Sequence, residues 1–359
     1  MQTHTRFYHT HTDTVLFART PQSGVPDVYT QAEALGGRFT RINHGLPRGN
    51  VANFSPSILN YNGKQFIAWR TQPEPFCFRY DRQYFYMNNR PTDIYLGQLA
   101  GDDTILAAQP IRRKPHKLSY EDPRLFIGPD EQVYIQFVAS TYASSYNKGD
   151  KKLFDTPHVV VCYMDHTGEA TQAAIPPIGK NRERGATEKN WCFFPNKDQL
   201  ACLYSTRPLV IEQEDGERIE TDTSALDAVT HGAPTFNSTA PINLGFGNLI
   251  FYHWKHMTRD DNGLTYLMYH LGAYLTSPDF KKVLYIDKRP MFTGSINDKL
   301  IAWTDYYGNI VSYQPAVILP FGAYIQDTEL VMSLGVNDAF MGIFRCPLEN
   351  IMSRLSPVS

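Results

Sequence analysis

The fold is decided by the stretch Ser55-Pro-Ser-Ile-Leu-Asn-Tyr-Asn-Gly-Lys-Gln-Phe-Ile-Ala-Trp-Arg70. Two apolar runs flank an Asn-Gly pair, and this arrangement predicts a β-hairpin with a two-residue turn. The pattern returns in Asp122-Pro-Arg-Leu-Phe-Ile-Gly-Pro-Asp-Glu-Gln-Val-Tyr-Ile-Gln-Phe137. It returns again in Asn190-Trp-Cys-Phe-Phe-Pro-Asn-Lys-Asp-Gln-Leu-Ala-Cys-Leu-Tyr204. The chain therefore carries an internal repeat of hairpins.

Two further copies follow toward the carboxyl end. The fourth opens at Ala233-Pro-Thr-Phe236 and returns through Gly247-Asn-Leu-Ile-Phe-Tyr-His-Trp254, and the fifth runs from Pro315 to Leu334. The copies begin on average about 65 residues apart, which leaves room for two further strands in each. Five such units closing radially predict an all-β five-bladed β-propeller. A β-sandwich with similar hairpins is the alternative.

Helical patterns are scarce. The C-terminal segment 347–355 is predicted to be a helix because Leu348, Ile351, Met352 and Leu355 follow helical spacing. A second helix is predicted from Asp27 to Leu35, before Gly36-Gly37. Residues 212–227 are acidic and predicted to be a surface loop. No Pro/Ser-rich linker divides the chain, so we expect one catalytic domain over residues 1–359, with residues 1–50 as an N-terminal extension closing onto the propeller.

Composition narrows the function classes. The 359 residues include 34 Lys and Arg and 36 Asp and Glu, a net charge of −2, so no nucleic-acid partner is expected. No apolar run reaches the roughly 18 residues of a membrane span, and the first residues lack a signal-peptide core, so we expect a cytoplasmic protein with no membrane partner. The five cysteines are scattered without a CxxC pair and are predicted to be reduced core residues.

The segment Tyr120-Glu121-Asp122-Pro123-Arg124 places two carboxylates and a guanidinium at the start of the second hairpin. On an extended strand, neighbouring side chains point to opposite sides, so one carboxylate would face a given pocket. Pro123 favours extended geometry at Asp122, which would put Arg124 on the same side as Asp122. An acid beside a fixed cation suits general acid catalysis on a sugar oxygen. A plain Asp-Pro turn is the alternative.

Glu188-Lys189-Asn190-Trp191 is the counterpart in the third hairpin. It combines an acid, an ammonium, an amide and an aromatic ring, as sugar sites do. Basic runs at residues 112–117 and 180–184 precede these two segments and suit either a phosphate group or a solvated loop. His253 and His256 are predicted to lie on opposite faces of a strand, so no metal is expected there. The motifs of serine hydrolases, P-loops and zincins are absent from the sequence.

These segments together resemble glycoside hydrolase family 130 and its transferase relatives, five-bladed propellers that act on mannosides. The likeness runs from about Ser55 to Phe344. It rests on Glu121-Asp-Pro-Arg124, Glu188-Lys-Asn-Trp191 with Phe194-Pro195, Gly232-Ala-Pro234, Tyr269-His-Leu-Gly272, and Leu319-Pro-Phe-Gly322 with Gly335-Val-Asn-Asp338.

The resemblance implies an inverting mechanism in which Asp122 is the general acid. No metal or cofactor is expected, because positioned cations can manage the charge that develops during the displacement. The resemblance also implies that Lys189 and Arg207 match part of the family's phosphate site. Two departures stand out. Thr206 replaces a histidine that the phosphorylases tend to carry, and residues 139–146 lack their arginine near a Gly-Pro. The substrate-binding residues predicted beside Asp122 are Arg70, Glu121, Arg124, Glu188, Lys189, Asn190, Trp191, Arg207, Tyr269 and Asp338.

Transfer of a glycosyl unit, mannosyl by resemblance, from a phosphorylated donor or to phosphate is the leading hypothesis. The substrate would be a mannoside, a sugar phosphate or a nucleotide sugar. A β-mannoside hydrolase is the first alternative, with Glu121, Glu188 or Asp338 as the base. A sugar-binding propeller without catalysis is the second. A homo-oligomer is compatible with the aromatic content, 13% of the chain.

Overall fold

The protein is described by a computed structural model. It describes residues 5–8, 15–18, 24–46, 52–72, 78–81, 84–87, 92–111, 118–141, 158–164, 170–172, 190–259, 265–295, 298, 301–304, 310–313, 316–338 and 340–358. The chain is mostly β, with a few short helices. No helix within these ranges is long and apolar enough to cross a membrane.

The strands of the first half, in chain order, are β1 (Thr5–Tyr8), β2 (Val15–Ala18), β3 (Arg38–Arg41), β4 (Ala52–Tyr61), β5 (Lys64–Gln72), β6 (Phe78–Asp81), β7 (Tyr84–Met87), β8 (Asp93–Leu99), β9 (Ile105–Pro110), β10 (Leu118–Ile127), β11 (Val133–Thr141), β12 (His158–Met164) and β13 (Ala170–Gln172). Helix α1 (Val28–Ala34) precedes β3.

The strands of the second half are β14 (Cys192–Asn196), β15 (Gln199–Thr206), β16 (Leu209–Gln213), β17 (Arg218–Thr221), β18 (Thr235–Asn237), β19 (Ile242–Asn243), β20 (Asn248–Arg259), β21 (Thr265–Thr276), β22 (Val283–Asp287), β23 (Phe292–Thr293), β24 (Ile301–Thr304), β25 (Ile310–Tyr313), β26 (Ile318–Leu319), β27 (Ala323–Gln326), β28 (Glu329–Val336), β29 (Phe340–Pro347) and β30 (Leu355–Pro357). The helices are a 3-10 turn (Ser224–Leu226), α2 (Asp227–Thr230) and α3 (Leu348–Met352).

Each of the five predicted hairpins opens its own antiparallel sheet. The first sheet is β4-β5-β8-β9, the second β10-β11-β12-β13 and the third β14-β15-β16-β17. The fourth follows the order β18-β20-β21-β22-β30, and the fifth β26-β28-β29-β3. In the first hairpin, Asn62 and Gly63 both have positive φ, 51° and 74°, as the Asn-Gly turn requires. Five separate sheets are not the two packed sheets of a sandwich.

A sixth sheet lies outside this pattern, with the order β1-β2-β24-β25-β6-β7. The chain termini also join distant sheets. Strand β3 pairs with β29, with Phe39 opposite Phe344, and β30 pairs with β22, with Pro357 opposite Tyr285. Residues near the amino end thus complete the fifth sheet, and the carboxyl end completes the fourth.

Apolar side chains of consecutive sheets pack in separate clusters. Ala68 of the first sheet packs with Ile135 of the second, and Phe126 of the second packs with Phe193 of the third. Further clusters join the third sheet to the fourth, the fourth to the fifth, and the fifth back to the first through Val331 and Trp69. Each sheet therefore buries both faces against its neighbours, which explains the high aromatic content.

A cavity of about 180 Å³ is lined by β4, β10 and β14 and by the segments that follow β18 and β26. Its lining includes Ile58, Phe126, Phe194, Pro241 and Phe321, one residue from each hairpin or its continuation. Residues from all five hairpins or from the segments beside them therefore line one cavity.

Both predicted helices exist. Asp27 caps α1 by accepting a hydrogen bond from the Thr30 backbone N–H at 2.8 Å. The C-terminal helix α3 is shorter than predicted, because residues 355–357 leave the helix to pair with β22. It packs beside the fifth sheet through buried Ile351.

The prediction of a surface loop at 212–227 is wrong. Residues 218–221 form β17, which pairs with β16 at the outer edge of the third sheet. Its polar side chains suit an edge strand that faces solvent on one side. The cysteine prediction is confirmed for Cys192, Cys202 and Cys346, which are buried thiols outside any disulfide. Cys77 and the side chain of Cys162 lie outside the described residues.

Candidate functional site

A β-bulge sets the geometry of the predicted acid. Strand β10 pairs with β11 through Glu121 opposite Val138, and the register shifts before Arg124. At this point Asp122 takes a left-handed conformation with φ 52°. The prediction of extended geometry at Asp122 is therefore wrong. A following proline disfavours the right-handed helical region but leaves the left-handed one open to an aspartate in a bulge.

The bulge turns both adjacent carboxylates toward one arginine. Nη2 of Arg70 lies 3.4 Å from Oε1 of Glu121, and its Nη1 lies 3.9 Å from Oδ1 of Asp122. The Arg70 Nε donates to Oγ1 of Thr92 at 2.9 Å, and the guanidinium lies 5.1 Å from the Phe54 ring centroid. Arg70 is buried, so its charge is held in place by these contacts. It orients the acid pair.

Ser55 is a site residue that the sequence reasoning missed. Its hydroxyl donates to Oδ1 of Asp122 at 3.4 Å, and its own φ is 50°. Ser55 precedes a proline just as Asp122 does, so it occupies the same place in the first hairpin. The Ser55-Pro56 pair repeats the Asp122-Pro123 pair, and this repetition in the sequence could have identified Ser55. Asn190 in the third hairpin shares the positive φ, at 63°.

Asp338 approaches the acid pair from the fifth sheet. It follows Asn337 just beyond β28, and both have positive φ, 47° and 52°. The Asn337 side chain accepts from the Val317 N–H at 2.9 Å and donates to the Ser295 carbonyl at 2.9 Å, which fixes this turn. Burial raises the pKa of Asp338 to about 7; Arg70 opposes this rise, while Asp122 and Glu121 add to it.

Tyr269 completes the cluster from the fourth sheet. Its backbone N–H donates to the Ala316 carbonyl at 2.9 Å, and its carbonyl accepts from the Gly294 N–H at 2.7 Å. Burial raises the pKa of the phenol, and the charges of Asp338 and Asp122 raise it further. The structure thus brings together Arg70, Glu121, Asp122, Tyr269 and Asp338, which we call the carboxylate cluster.

Arg124 does not join this cluster. Its Nη1 donates to the Ser238 carbonyl and its Nη2 to the Asn237 carbonyl at 3.4 Å, at the end of β18 in the fourth sheet. The guanidinium also lies 4.7 Å from the ring centroid of Phe321 in the fifth sheet. The expected pairing of Arg124 with Asp122 is therefore replaced by contacts of the guanidinium with these two carbonyls and this ring. Arg124 joins three sheets across the centre.

Trp191 is also placed differently from the prediction. Its indole is 8% exposed and packs against Tyr204, with ring centroids 5.3 Å apart, and against Phe193. The expected stacking on a sugar ring is therefore corrected to core packing between the second and third sheets. Its neighbour Asn190 accepts a hydrogen bond at its carbonyl from Nδ2 of Asn237 at 3.0 Å.

Arg207, which was also predicted to bind substrate, contacts a residue outside the carboxylate cluster. The Arg207 guanidinium pairs with the Asp227 carboxylate at the start of α2. Glu188 and Lys189 lie outside the described residues, as do the basic runs at 112–117 and 180–184.

His253 and His256 lie on opposite faces of β20, as the sequence predicted. The imidazole of His253 contacts the Ser238 hydroxyl at 2.9 Å, whereas that of His256 contacts His270 on the other face of the strand, also at 2.9 Å. Burial lowers the pKa of His270 to about 4, and His256 adds to the effect. Within the described ranges, no group of three or more His, Cys, Asp or Glu is placed to hold a metal ion.

The cluster can handle protons at neutral pH. Three carboxylates surround one guanidinium, so full ionisation would leave excess negative charge in a partly desolvated site. The raised pKa of Asp338 lets one proton remain there near pH 7. A proton held within a group of neighbouring carboxyls can serve general acid or base catalysis.

The sequence matches no protein-family model, and no curated protein matches it either. Solved structures do match. MPT-4, a mannose phosphorylase from Leishmania mexicana solved with a phosphate ion, is 12% identical with a TM-score of 0.56. The match covers 92% of this chain and 95% of that one.

Two further matching structures are of proteins described with other activities. MPT-1, a GDP-Man-dependent mannosyltransferase from Leishmania mexicana, is 11% identical with a TM-score of 0.53, over 86% of this chain and 89% of that one. A structure from work on GH130 glycoside hydrolases that target β-1,2 mannosidic linkages in Candida mannan is 11% identical with a TM-score of 0.56. That match covers 90% of this chain and 96% of the other. The chain thus resembles GH130 mannoside phosphorylases and related mannosyltransferases in fold.

Proposed function

We propose that the protein is a mannoside-processing enzyme that transfers a glycosyl unit with inversion, to phosphate or from a phosphorylated donor. The observation that carries this proposal is the carboxylate cluster. Asp122 lies where side chains from four sheets meet: Ser55 and Arg70 from the first, Glu121 beside it, Tyr269 from the fourth and Asp338 from the fifth. Structural neighbours that are described as phosphorylase, transferase and hydrolase support the same substrate class.

The proposed scaffold is a five-bladed β-propeller formed by a single domain of residues 1–359. Its support is the series of core clusters between consecutive sheets, the last of which joins the fifth sheet to the first. The pairing of β3 with β29 supports residues 1–50 as the extension that closes the ring. A ring would place the first strand of every blade around one axis.

In the proposed mechanism, Asp122 donates a proton to the bridging oxygen as the bond to the anomeric carbon breaks. In phosphorolysis, an oxygen of inorganic phosphate attacks the anomeric carbon from the opposite face, and the configuration inverts. In transfer from a phosphorylated donor the steps run in reverse: the acceptor hydroxyl attacks, its proton passes to the Asp122 carboxylate, and the phosphate leaves. Arg70 holds the carboxylates of Glu121 and Asp122 in place, which limits their reorganisation during the reaction. Lys189 remains a proposed phosphate ligand on the resemblance alone.

Hydrolysis is the second candidate, and a specific observation favours it. An inverting glycosidase needs an acid and a base on opposite sides of the sugar. The cluster offers Asp122 together with Glu121 and Asp338, so a base is at hand without phosphate. A binding propeller without catalysis is the third candidate and predicts sugar affinity without turnover.

The first experiment measures thermal stabilisation by inorganic phosphate, mannose 1-phosphate, GDP-mannose, mannose and mannobiose, since a ligand of the folded state raises the melting temperature. Turnover is then assayed with the ligands that bind. Asp122→Asn should lower turnover by about 10²- to 10⁴-fold with little change in sugar affinity.

Asp327→Asn is the matched control. Asp327 is an exposed turn residue with a similar φ of 55°, so the same chemical change is made in the same backbone conformation. Unchanged turnover in Asp122→Asn would overturn the assignment of the general acid. Binding without turnover in the wild-type protein would favour the third candidate.

A further inference from the structure

A buried threonine links the arginine of the carboxylate cluster to the strand that carries the two adjacent acids. Thr92 is completely buried and lies just before β8, which pairs with β5, the strand of Arg70. Its hydroxyl accepts from Nε of Arg70 at 2.9 Å and donates to the Tyr120 carbonyl at 2.7 Å. Tyr120 immediately precedes Glu121 in β10, so this hydroxyl connects the first sheet with the acid-bearing strand of the second.

The chemistry of the three groups fixes the direction of both hydrogen bonds. A guanidinium can only donate, so the Thr92 oxygen must accept from Arg70. A threonine hydroxyl has a single proton, and that proton goes to the Tyr120 carbonyl, which can only accept. The Tyr120 backbone N–H also donates to the Thr92 carbonyl at 3.1 Å. Thr92 is therefore held to the β10 backbone by two hydrogen bonds.

The contact at Nε restrains the orientation of the whole guanidinium. The group is planar, so a hydrogen bond at Nε constrains where Nη1 and Nη2 can point. From this position, Nη2 lies 3.4 Å from Oε1 of Glu121, and Nη1 lies 3.9 Å from Oδ1 of Asp122. The contacts close a circuit that runs from Arg70 through Thr92 and the Tyr120 backbone to Glu121 and back to Arg70.

We propose that Thr92 is a positioning residue for the reaction, and that its hydroxyl orients Arg70 toward the carboxylates of Glu121 and Asp122. This inference rests on the proposed function. Because Thr92 is completely buried, it acts through Arg70 and not by contact with a sugar. A charge that is oriented in advance stabilises a transition state better than one that must first reorient.

The kinetic test compares Thr92→Val, which lacks the hydroxyl, with Thr92→Ser, which keeps it. Thr221→Val is the matched control, because Thr221 is also buried and its hydroxyl donates to a backbone carbonyl, that of Phe280, from the outermost strand of the third sheet. In Thr92→Val, kcat should fall about ten- to a hundredfold, with KM within about twofold of wild type. Thr92→Ser and Thr221→Val should keep kcat within about twofold.

A double-mutant cycle shows whether Thr92 acts through the arginine. The group that Thr92 orients is absent from Arg70→Gln, so adding Thr92→Val to that variant should lower kcat by less than about twofold more. Additive losses would assign Thr92 a separate structural role and overturn the inference. Wild-type kinetics in Thr92→Val would overturn it as well. Thr92→Ala removes the same hydroxyl and takes the place of Thr92→Val if the valine variant does not fold.

NMR of the arginine side chains separates this inference from the proposed function. In isotopically labelled protein, the Nε–H signal of Arg70 is the one that disappears in Arg70→Gln. Its exchange with solvent should be slow in wild type and Thr92→Ser, and about tenfold or more faster in Thr92→Val. Equal exchange rates in wild type and Thr92→Val would overturn the inference. A wild-type protein that turns over no ligand of the panel, with this difference intact, would instead contradict the proposed function, while the placement of Arg70 by Thr92 still held.

Discussion

The hydroxyl of Ser55 donates a hydrogen bond to the carboxylate of Asp122 at 3.4 Å, although the two residues are 67 positions apart. Both have left-handed backbone, with φ of 50° and 52°, and both precede proline. They occupy the same place in two successive hairpins. This position thus carries a hydroxyl in the first copy and an acid in the second, and the fold brings the two side chains together.

Arg70 should control the pH dependence of the reaction. A cation beside carboxylates favours their ionised form, and Arg70 lowers the pKa of Asp338. In Arg70→Gln, Asp338 should hold its proton to higher pH, so a limb of the pH–rate profile should move upward by about one pH unit or more. Steady-state kinetics across pH 4 to 9, after a check of folding by circular dichroism, measure the shift.

Arg70→Lys provides the matched comparison. The lysine keeps the charge but loses the planar fork that contacts Glu121 and Asp122. We expect lower turnover with the limb close to its wild-type position. An identical limb in wild type and Arg70→Gln would contradict the role assigned to this arginine.

Trp191 should act on stability more than on sugar binding. Its indole is buried between Phe193 and Tyr204, so Trp191→Ala should lower the free energy of unfolding by about 3–5 kcal/mol. Trp191→Phe should cost less and leave mannobiose affinity near wild type. Urea unfolding and ligand titration of both variants are the measurements. If Trp191→Phe had normal stability but bound mannobiose about tenfold more weakly, the result would support the predicted stacking of Trp191 on the sugar.

Asp298 should make stability depend on pH. This carboxylate accepts from the Val28 N–H at 3.0 and 3.1 Å at the start of α1. Burial raises its pKa to about 7; the Val28 hydrogen bond lowers it, and Asp27 raises it further. Since the unfolded value is about 3.9, the folded state binds more protons between roughly pH 4 and 7. This contribution to stability is complete below pH 4 and is lost as the pH rises through 7.

Asp298→Asn replaces the titrating carboxyl with a neutral amide. The variant should gain stability relative to wild type as the pH rises from 5 to 8, because its neutral amide has no charge to desolvate. Urea unfolding of both proteins at the two pH values gives the comparison. Parallel stability curves would exclude Asp298 as the source of the dependence.

Local patterns in the sequence predicted much of the fold. The Asn62-Gly63 turn, the apolar runs beside it and the spacing of the copies predicted five hairpins, and each one opens a separate sheet. Asp27 and Gly36-Gly37 marked the ends of α1 correctly. These features depend on turn chemistry and periodicity over a few residues, so they can be recognised without knowledge of the tertiary structure.

The side-chain arrangement of the site was decided only in three dimensions. The sequence identified Glu121, Asp122, Tyr269 and Asp338 as candidates, but the bulge that turns both acids toward Arg70 arises from strand pairing. Arg124 reaches carbonyls 113 and 114 positions away, and Trp191 packs between two sheets. Such contacts depend on which strands lie side by side around the centre. The sequence by itself therefore determined the hairpins and the residue types available for chemistry, and sheet packing decided which of those residues meet.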